Sequence, residues 1–454
     1  MHRRPLIVLT AVVLAALLTG MALARTDLWD PRRIDEVDPY AWGVQVRPDG
    51  ERAVILPGAE VSYLRGSRVL APTPDTSAGQ HRDAHERAQA DRDWLAAGSV
   101  PGTGSAYEEM VTGALLDIRA LTLDDGAALA GYNPNWRYVW PRDASFIAAA
   151  LASAGHARDA VEVLAFLQRV QHPEGTFEAR YLPDASGPPD GRGIQTDGTG
   201  WVLWATDHVL ATLAPDDPLR ERIHHDLTPL LARSTAQLLH QAETPDSLPP
   251  PSADYWEHPE QDLTLGTAAP VLAGLHAATR IWSGAGDMDL ALRTGAAADR
   301  LRTAVESTFG PTYPRYPGGT DRDAATAFAL PPFQPEPLSE ALGAWHDSIA
   351  PMRRPAGGLA PGASWREQSL SWTPQTTLYA LVAAHNGEPQ MALDWLDWVD
   401  AHRTPLGAIP EKVSPDGTPA AVAPLAWSAA VVVLTVAQLE DDGVLTPAEQ
   451  VRDN

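Results

Sequence analysis

Residues 140–170, WPRDASFIAAALASAGHARDAVEVLAFLQRV, contain two consecutive helical patterns that set the expectation for most of the chain. The first pattern, over residues 143–154, consists of small and apolar residues and stops at Gly155. The second carries apolar residues at the spacing of one helix face, namely Val161, Val163, Leu164, Phe166 and Leu167. The stretch therefore predicts two helices joined by a short turn.

The alternation of helical patterns with loops rich in Gly, Pro and Asp continues along the chain. Further helices are predicted over residues 107–121, 197–213, 219–239, 267–282, 288–309, 338–350, 373–386, 390–401 and 424–439, with a shorter one over 323–330. Long strand patterns are missing between them, so the body is predicted to be all-α with about twelve helices. Because the sequence has no fixed repeat period, a closed ring of helix pairs is favoured over a solenoid, and its loops would converge on a central pocket.

Composition argues against several classes of function. The 454 residues are enough for one large domain, and 58 acidic against 34 basic residues give a net charge of −24. A negative charge of this size repels phosphate backbones, which argues against nucleic acid as a partner. The chain has no cysteine, and this excludes disulfides, thiolate nucleophiles and cysteine-ligated metals.

Residues 1–24 are typical of a targeting segment. Arg3 and Arg4 precede an apolar run that ends in the small-residue motif Ala22-Leu23-Ala24. The run is about as long as a bilayer core requires, so a cleaved signal peptide and a retained membrane anchor stay as alternatives. In both cases we expect the rest of the chain to work outside the cytoplasm, either secreted or at the cell surface.

Residues 25–105 are predicted to form a short β-rich lead and linker. Apolar residues alternate from Val44 to Tyr63 around two turn sequences that contain Pro and Gly, which is typical of hairpins. A charged stretch over residues 81–93 is compatible with a helix. The helical body then covers residues 106–445 and leaves a tail over residues 446–454.

Three loops beside predicted helices combine aromatic residues with carboxylates. The first, residues 136–143, reads WRYVWPRD and leads directly into a helix. Indole rings pack on the apolar faces of sugars while Asp and Arg bond the hydroxyls, so this composition favours a carbohydrate site. The competing interpretation is that Asp143 only caps the helix and that the tryptophans belong to the core.

The other two loops each supply a glutamate. Glu257 follows Trp256, and a carboxyl group beside an indole can be partly desolvated, which favours the protonated form that a general acid requires. Glu411 is the second candidate, although Lys412 could simply pair with it on an exposed loop. Inverting glycoside hydrolysis needs two separated carboxylates, one to protonate the leaving oxygen and one to activate water on the opposite face of the sugar.

Taken in order, these motifs resemble glycoside hydrolase family 15, the glucoamylase-type hydrolases. The resemblance is carried by Trp140-Pro141-Arg142-Asp143, Gln195-Thr196-Asp197-Gly198, Trp256-Glu257, and Ile409-Pro410-Glu411 with Pro424-Leu425-Ala426-Trp427-Ser428. It covers residues 106–439 and implies an (α/α)6 barrel, an inner and an outer ring of six helices. Bacterial members resemble such a barrel preceded by a larger β-domain, so the β-rich lead of this chain is a reduced one.

The resemblance also implies roles for individual residues. Glu257 matches the general acid, and Glu411 matches the general base that activates water. The residues that match substrate-binding positions are Trp140, Arg142, Asp143, Gln195, Asp197, Trp256 and Trp427. Asp323 falls where bacterial relatives often have an aspartate. Lys412 replaces the more usual glutamine after the base, and we expect its charge to lower the pKa of Glu411.

The implied activity is that of an exo-acting, inverting glycoside hydrolase similar to glucan 1,4-alpha-glucosidase. It would release glucose from the non-reducing ends of α-glucans or α-gluco-oligosaccharides. No metal or other cofactor takes part in that chemistry, although the acidic residues 321–323 are compatible with a calcium ion. The oligomeric state is not predicted.

Two alternatives stay open. One is an enzyme of the same fold that acts on trehalose or dextran-type α-glucosides, with residues 177–192 and 321–335 choosing the linkage. The other is a non-catalytic, surface-attached carbohydrate-binding protein. The presence of both Glu257 and Glu411 favours an enzyme over the second alternative.

Overall fold

The computed structural model describes residues 41–445 of the chain. The predicted signal peptide or anchor and the predicted tail lie outside the described residues. The described part begins with an antiparallel hairpin and a long helix: β1 (Gly43–Val46), β2 (Arg52–Ile55) and α1 (Ala78–Ala97). The apolar alternation near Tyr63 gives one isolated bridge to Leu70 and no further hairpin.

The remaining elements make up the helical body. In chain order they are α2 (Glu108–Leu121), a 3₁₀ turn (Pro134–Trp136), α3 (Pro141–Ser153), α4 (Ala157–Val170), α5 (Asp197–Thr212), α6 (Pro218–Asp226), α7 (Thr228–Ala242), α8 (Leu265–Gly284), α9 (Met288–Phe309), a 3₁₀ segment (Ala324–Ala329), α10 (Ala341–Met352), β3 (Ser371–Trp372), α11 (Thr373–His385), α12 (Pro389–Ala401), β4 (Lys412–Val413), β5 (Pro419–Ala420) and α13 (Ala426–Asp441). The three last strands form one small antiparallel sheet in the order β3-β4-β5.

Two rings are built from these helices. The inner ring consists of α3, α5, α8, the 3₁₀ segment, α11 and α13, and each consecutive pair of these elements is in contact. Helix α13 also packs against α3, which closes the ring. The outer ring consists of α2, α4, α7, α9, α10 and α12, each packed on an inner neighbour. The predicted (α/α)6 fold is therefore confirmed, and its fourth inner helix, predicted over residues 323–330, is only a short 3₁₀ segment.

Small residues let the inner helices approach each other closely. Helices α5 and α8 are buried on nearly all faces, and their backbones meet at Gly200. A Cβ atom added at Gly200 would lie 2.1 Å from the carbonyl oxygen of Pro270. A Cβ atom added at Gly274 would lie 2.7 Å from the Cα of Gly200. The contact between these two helices thus depends on glycine.

The outer helices bury one face, as the apolar spacing predicts. In α4 the buried residues include all five members of the predicted stripe: Val161, Val163, Leu164, Phe166 and Leu167. Polar residues such as Arg158 and Glu162 occupy the other positions of this helix. Burial of one stripe against an inner neighbour is the main stabilisation available to an amphipathic helix.

One predicted helix, over residues 219–239, is wrong. The structure has two helices here, α6 and α7, which meet at Leu227. Pro229 occupies the first turn of α7. Proline has no backbone N–H and its ring clashes with the carbonyl one turn earlier, so a continuous helix is interrupted at this position.

The N-terminal lead packs against the outside of the barrel. Arg52 Nε donates to the carbonyl oxygen of Ala120 at 2.5 Å, which joins the hairpin to the end of α2. Arg119 of α2 pairs with Asp91 of α1 at 3.0 Å. Among residues 41–445, no helix combines the length and the hydropathy that a bilayer crossing needs.

Candidate active site

The amino-terminal ends of the inner helices converge on a cavity of about 670 Å³. Seven of the nine predicted site residues line it: Trp140, Arg142, Asp143, Trp256, Glu257, Glu411 and Trp427. The other two, Gln195 and Asp197, are buried and do not line the cavity. The structure thus brings together loops that are far apart in sequence, with both candidate catalytic glutamates in one cavity.

Glu257 lies on the loop before α8 in a constrained backbone conformation. Its φ angle is 58°, and its N–H donates to the carbonyl oxygen of Asp254 at 2.8 Å. Trp140 Nε1 donates to Glu257 Oε1 at 2.6 Å, and Arg142 Nη2 lies 3.7 Å from the same oxygen. Arg192 Nη1 pairs with the other carboxylate oxygen, Oε2. The carboxylate is therefore fixed on both sides.

Glu411 lies immediately before β4, where the small sheet joins α11. Its N–H donates to Val422 at 2.8 Å, and its carbonyl oxygen accepts from the N–H of Thr373 at 3.0 Å. Trp136 Nε1 donates to Glu411 Oε1 at 3.3 Å. The second carboxylate oxygen, Oε2, is buried and has no hydrogen-bond partner among the described residues. It is therefore available as an acceptor within the cavity.

The expected effect of Lys412 on its neighbour is only partly right. The charge of Lys412 does act to lower the pKa of Glu411, but burial of the carboxyl group has the larger effect, and the pKa is raised. Lys412 does not form an exposed pair with Glu411. Its Nζ donates to Glu367 at 3.0 Å and lies 4.2 Å from the ring centre of Trp372.

Arg142 and Asp143 form a buried, charged part of the cavity wall. Arg142 Nη2 lies 3.1 Å from Asp143 Oδ2, and the guanidinium lies 4.7 Å from the ring centre of Trp427. Within residues 41–445, Arg142 Nε and Nη1 and Asp143 Oδ2 have no hydrogen-bond partner of good geometry. Buried polar atoms are normally satisfied, so a polar ligand is the natural partner for this group.

Asp197 lies behind this wall and forms an ion pair with Arg142. Its Oδ2 lies 3.8 Å from Arg142 Nη1, at the start of α5. Burial raises the pKa of Asp197 to about 6, against the opposing effect of Arg142. The backbone N–H of Gln195 donates to the carbonyl oxygen of Phe177 at 2.9 Å. Its side-chain amide nitrogen is buried and has no partner in the described part of the chain.

A buried cluster beneath the Glu257 loop was not predicted. Arg315, 2% exposed, pairs with Asp254 and Asp323 at 3.0 and 3.2 Å, and its guanidinium lies 3.8 Å from the ring centre of Trp256. Asp323 also accepts from the hydroxyl of Tyr255 at 2.5 Å, so it supports the loop and does not line the cavity. Nothing in the sequence near Arg315 indicates this role, because its partners are distant in the chain.

Other cavity residues were also missed: Arg180, Arg192, Trp365, Arg366, Glu367 and Trp372. Two of them, Arg180 and Arg192, lie in segment 177–192, which was predicted to select the glycosidic linkage. That prediction is the one sequence signal for these missed residues. Among the described residues, no group of three or more His, Asp or Glu side chains is arranged to hold a metal ion. Asp323, considered for calcium, is instead paired with Arg315.

Comparisons with known proteins show a likeness to glycoside hydrolases. No protein-family model matches the chain. A curated relative, an uncharacterised glycosyl hydrolase of Methanocaldococcus jannaschii, is 33% identical over 96 residues, which is 21% of this chain and 15% of that protein. The chain thus matches only a small part of this relative's length.

Solved structures extend the likeness to about three quarters of the chain or more. A wild-type glycosidase is 20% identical with a TM-score of 0.62, over 74% of this chain and 97% of that chain. A bacterial glucoamylase complexed with acarbose is 16% identical with a TM-score of 0.62, over 80% and 61% of the two chains. A glycoside hydrolase family 15 glucoamylase from Hypocrea jecorina is 13% identical with a TM-score of 0.56, over 79% and 73%. The chain therefore has the fold of these enzymes, as its motifs indicated.

Proposed function

We propose that this glucoamylase-like barrel is an inverting glycoside hydrolase that releases glucose from the non-reducing ends of α-glucosides. The observation that carries the proposal is the presence of Glu257 and Glu411, from separate loops, in one cavity with Arg142 and Asp143. The glycosidase and glucoamylase names of the structural neighbours are consistent with it.

The two glutamates divide the chemistry between them. Glu257 gives its proton to the glycosidic oxygen, and Glu411 takes a proton from the water that attacks the anomeric carbon on the opposite face. A general base must be ionised, and the charge of Lys412 acts in this direction on Glu411. The configuration at the anomeric carbon is inverted in this single displacement.

Arg142 and Asp143 hold the terminal sugar. Their unsatisfied polar atoms bond its hydroxyl groups, and Trp140, Trp256 and Trp427 supply the apolar surface. Arg142 and Asp143 are 6% and 4% exposed, so the cavity is closed on their side. A closed end admits a chain terminus and no continuing chain, which supports exo action.

The test combines product stereochemistry with two conservative variants. Glucose release is measured from maltose, starch, dextran and trehalose, and the first anomer formed is identified by NMR. The best substrate distinguishes an α-glucan hydrolase from an enzyme for trehalose or dextran. From starch and dextran we expect the β-anomer of glucose first, whereas an α-anomer from these two substrates would contradict inversion.

Glu257→Gln and Glu411→Gln should each lower kcat by about 10²- to 10⁴-fold, since each removes one proton-transfer group without changing side-chain volume. Glu243→Gln, at an exposed position outside the cavity, is the matched control and should keep full activity. Thermal unfolding of all three variants shows whether they fold. Full activity in either cavity variant would remove that residue from the mechanism.

A further inference from the structure

The side chains that line the cavity have a more positive charge balance than the chain as a whole. Five basic residues line it: Arg142, Arg180, Arg192, Arg366 and Lys412. Four carboxylates accompany them: Asp143, Glu257, Glu367 and Glu411. The whole chain has 58 acidic residues against 34 basic ones, so an excess of cations in the cavity reverses the overall balance. A local reversal of charge focuses an anion toward the site.

Two of these cations are already paired inside the cavity wall, Arg142 with Asp143 and Lys412 with Glu367. Arg180 is buried against the ring of Trp140 and pairs with an acid outside the cavity, Asp190. Arg366 is exposed and lies 5.7 Å from the ring centre of Trp365. Among the described residues, Arg366 has no carboxylate within ion-pair distance.

Arg192 is the cation that contacts the proposed acid. It reaches Glu257 with one guanidinium nitrogen, and its Nε lies 3.3 Å from Asp190. Its side chain is 36% exposed, so it stands at the mouth of the cavity. Burial and then the like charge of Arg180 lower the pKa of Arg192, against the opposing effect of Asp190.

The contact between Arg192 and Glu257 conflicts with acid catalysis. A guanidinium beside a carboxylate favours the ionised form, whereas a general acid must carry a proton when the substrate is bound. The terminal sugar held by Arg142 and Asp143 places the glycosidic oxygen at Glu257. The leaving group then lies toward the mouth, where Arg192 and Arg366 stand. A group that draws Arg192 away from Glu257 would remove the closer of its two guanidinium contacts and so favour the protonated form.

We propose that the leaving group of the natural substrate carries an anion, a carboxylate or a phosphate, that is bound by Arg192 and Arg366. This inference rests on the proposed function and names its substrate class. Guanidinium groups bind both kinds of anion in a bidentate manner. When the anion pairs with Arg192, Glu257 is released from that ion pair and takes up a proton supplied by the buffer acid or hydronium of the solvent. It then passes that proton to the glycosidic oxygen.

The test compares matched disaccharides that differ only in the leaving sugar. The reference is an α-glucosyl-glucose of the linkage that the enzyme cleaves best. The two anionic forms carry a carboxylate or a phosphate at carbon 6 of the leaving glucose. We expect kcat/KM to be at least about tenfold higher for one anionic form than for the reference, as charge-assisted hydrogen bonds allow. The form that gains more identifies the kind of anion.

Substitutions of the two arginines test whether they cause the preference for an anionic disaccharide. In Arg192→Gln and in Arg366→Gln the ratio of anionic to neutral kcat/KM should fall toward one. Arg222→Gln, on the outside of the barrel with a 63% exposed side chain, should keep the wild-type ratio. Raising the salt concentration to about 0.5 M should also lower the ratio in the wild type, because exposed charges are screened.

Equal or better cleavage of the neutral disaccharide, or a ratio unchanged in both cavity variants, would overturn the inference while leaving the proposed hydrolase intact. If no disaccharide is cleaved, the proposed function fails. Calorimetric titration of the same three compounds into Glu411→Gln then tests separately whether the cavity binds an anionic ligand. Tighter binding of an anionic form would then support the anion site. Equal binding of all three, or binding of none, would overturn it.

Discussion

Trp136 and Trp140 hold the two candidate catalytic groups from a single short loop. Trp136 donates to Glu411 and Trp140 donates to Glu257, at 3.3 and 2.6 Å. The tryptophans are only four positions apart, while the two glutamates come from distant loops. One loop at the start of α3 thus sets the positions of both carboxylates. In the proposed function, this links the aromatic motif to the two catalytic groups as well as to sugar packing.

The environment of Glu411 predicts opposite pH effects for two neighbours. The charge of Lys412 acts to lower the pKa of Glu411, and Glu367 acts to raise it. Activity needs ionised Glu411, so it declines as the pH falls through this pKa. Lys412→Gln should therefore move the acidic limb of the kcat/KM profile to higher pH. Glu367→Gln should move it to lower pH.

Both profiles are measured on one neutral α-glucoside, with Glu243→Gln as the control. Movement of the two limbs in the same direction would show that packing, and not charge, connects these residues to Glu411. An unchanged limb in both variants would argue against Glu411 as the ionising group.

Asp197 predicts a pH-dependent stability. Burial raises its pKa to about 6 in the folded chain, above the value near 4 of an unfolded one. A raised carboxyl pKa contributes stability that is full below pH 4 and is lost as the pH rises through 6. Asp197→Asn removes this dependence. The free energy of unfolding of Asp197→Asn minus that of the wild type should therefore increase by up to about 3 kcal/mol from pH 4 to pH 6.5.

Urea titrations at several pH values measure this difference. Asp216→Asn, at an exposed position, provides the matched control. A difference between Asp197→Asn and the wild type that does not change with pH would mean that Asp197 is ionised throughout, held by Arg142.

At the scale of elements, the inner and outer helices obey different rules. Outer helices need one apolar stripe, which a sequence displays directly, as in α4. Inner helices are buried on all sides, and their positions depend on how closely two backbones can approach. The close contact of α5 with α8 at Gly200 is the clearest case.

Gly200→Ala should destabilise the barrel by about 1–3 kcal/mol, because the new methyl group would overlap the backbone of α8 at Pro270. Gly343→Ala is the matched control on the outer helix α10, where a Cβ atom meets nothing within 4 Å. Alanine favours a helix over glycine by up to about 1 kcal/mol, so the control should be neutral or stabilising. Chemical unfolding measures both, and an equal effect in the two variants would argue against the close α5–α8 contact.

At the scale of the whole molecule, closure of the ring joins distant parts of the chain into one core. A single hydrophobic cluster extends from Tyr107 in front of α2 to Leu439 in α13. The last inner helix, α13, contacts the first, α3, and no helix pair ends the array with a free face. This distinguishes the barrel from a solenoid, in which each repeat contacts only its neighbours.

We expect the barrel to unfold in one cooperative transition, because opening any hairpin exposes the core of the others. Heat unfolding should give coincident curves when followed by tryptophan fluorescence, far-UV circular dichroism and residual activity. Leu164 in α4 and Leu396 in α12 are both buried and lie in opposite halves of the chain. Leu164→Ala and Leu396→Ala should each lower the midpoint temperature of all three curves by the same amount. Separate transitions for the two halves would contradict a single core.

Helix positions and the order of the motifs were determined by the sequence itself. The stripe of α4, the stop at Gly155 and the motif at Trp140 involve residues a few positions apart, so local spacing is enough to predict them. Where a local rule was overlooked, the prediction failed, as at Pro229 between α6 and α7. The resemblance of the ordered motifs then indicated the barrel and seven residues of its cavity.

Only the tertiary structure decided the partners of each charged group. It joined Arg192 to Glu257, Lys412 to Glu367, and Arg315 to Asp254, and it placed Asp197 behind the cavity wall. It also reversed the expected direction of the Glu411 pKa, because burial outweighed the neighbouring charge. Burial and ion pairing depend on distances between residues far apart in the chain, and these distances are fixed only when the ring of helices closes.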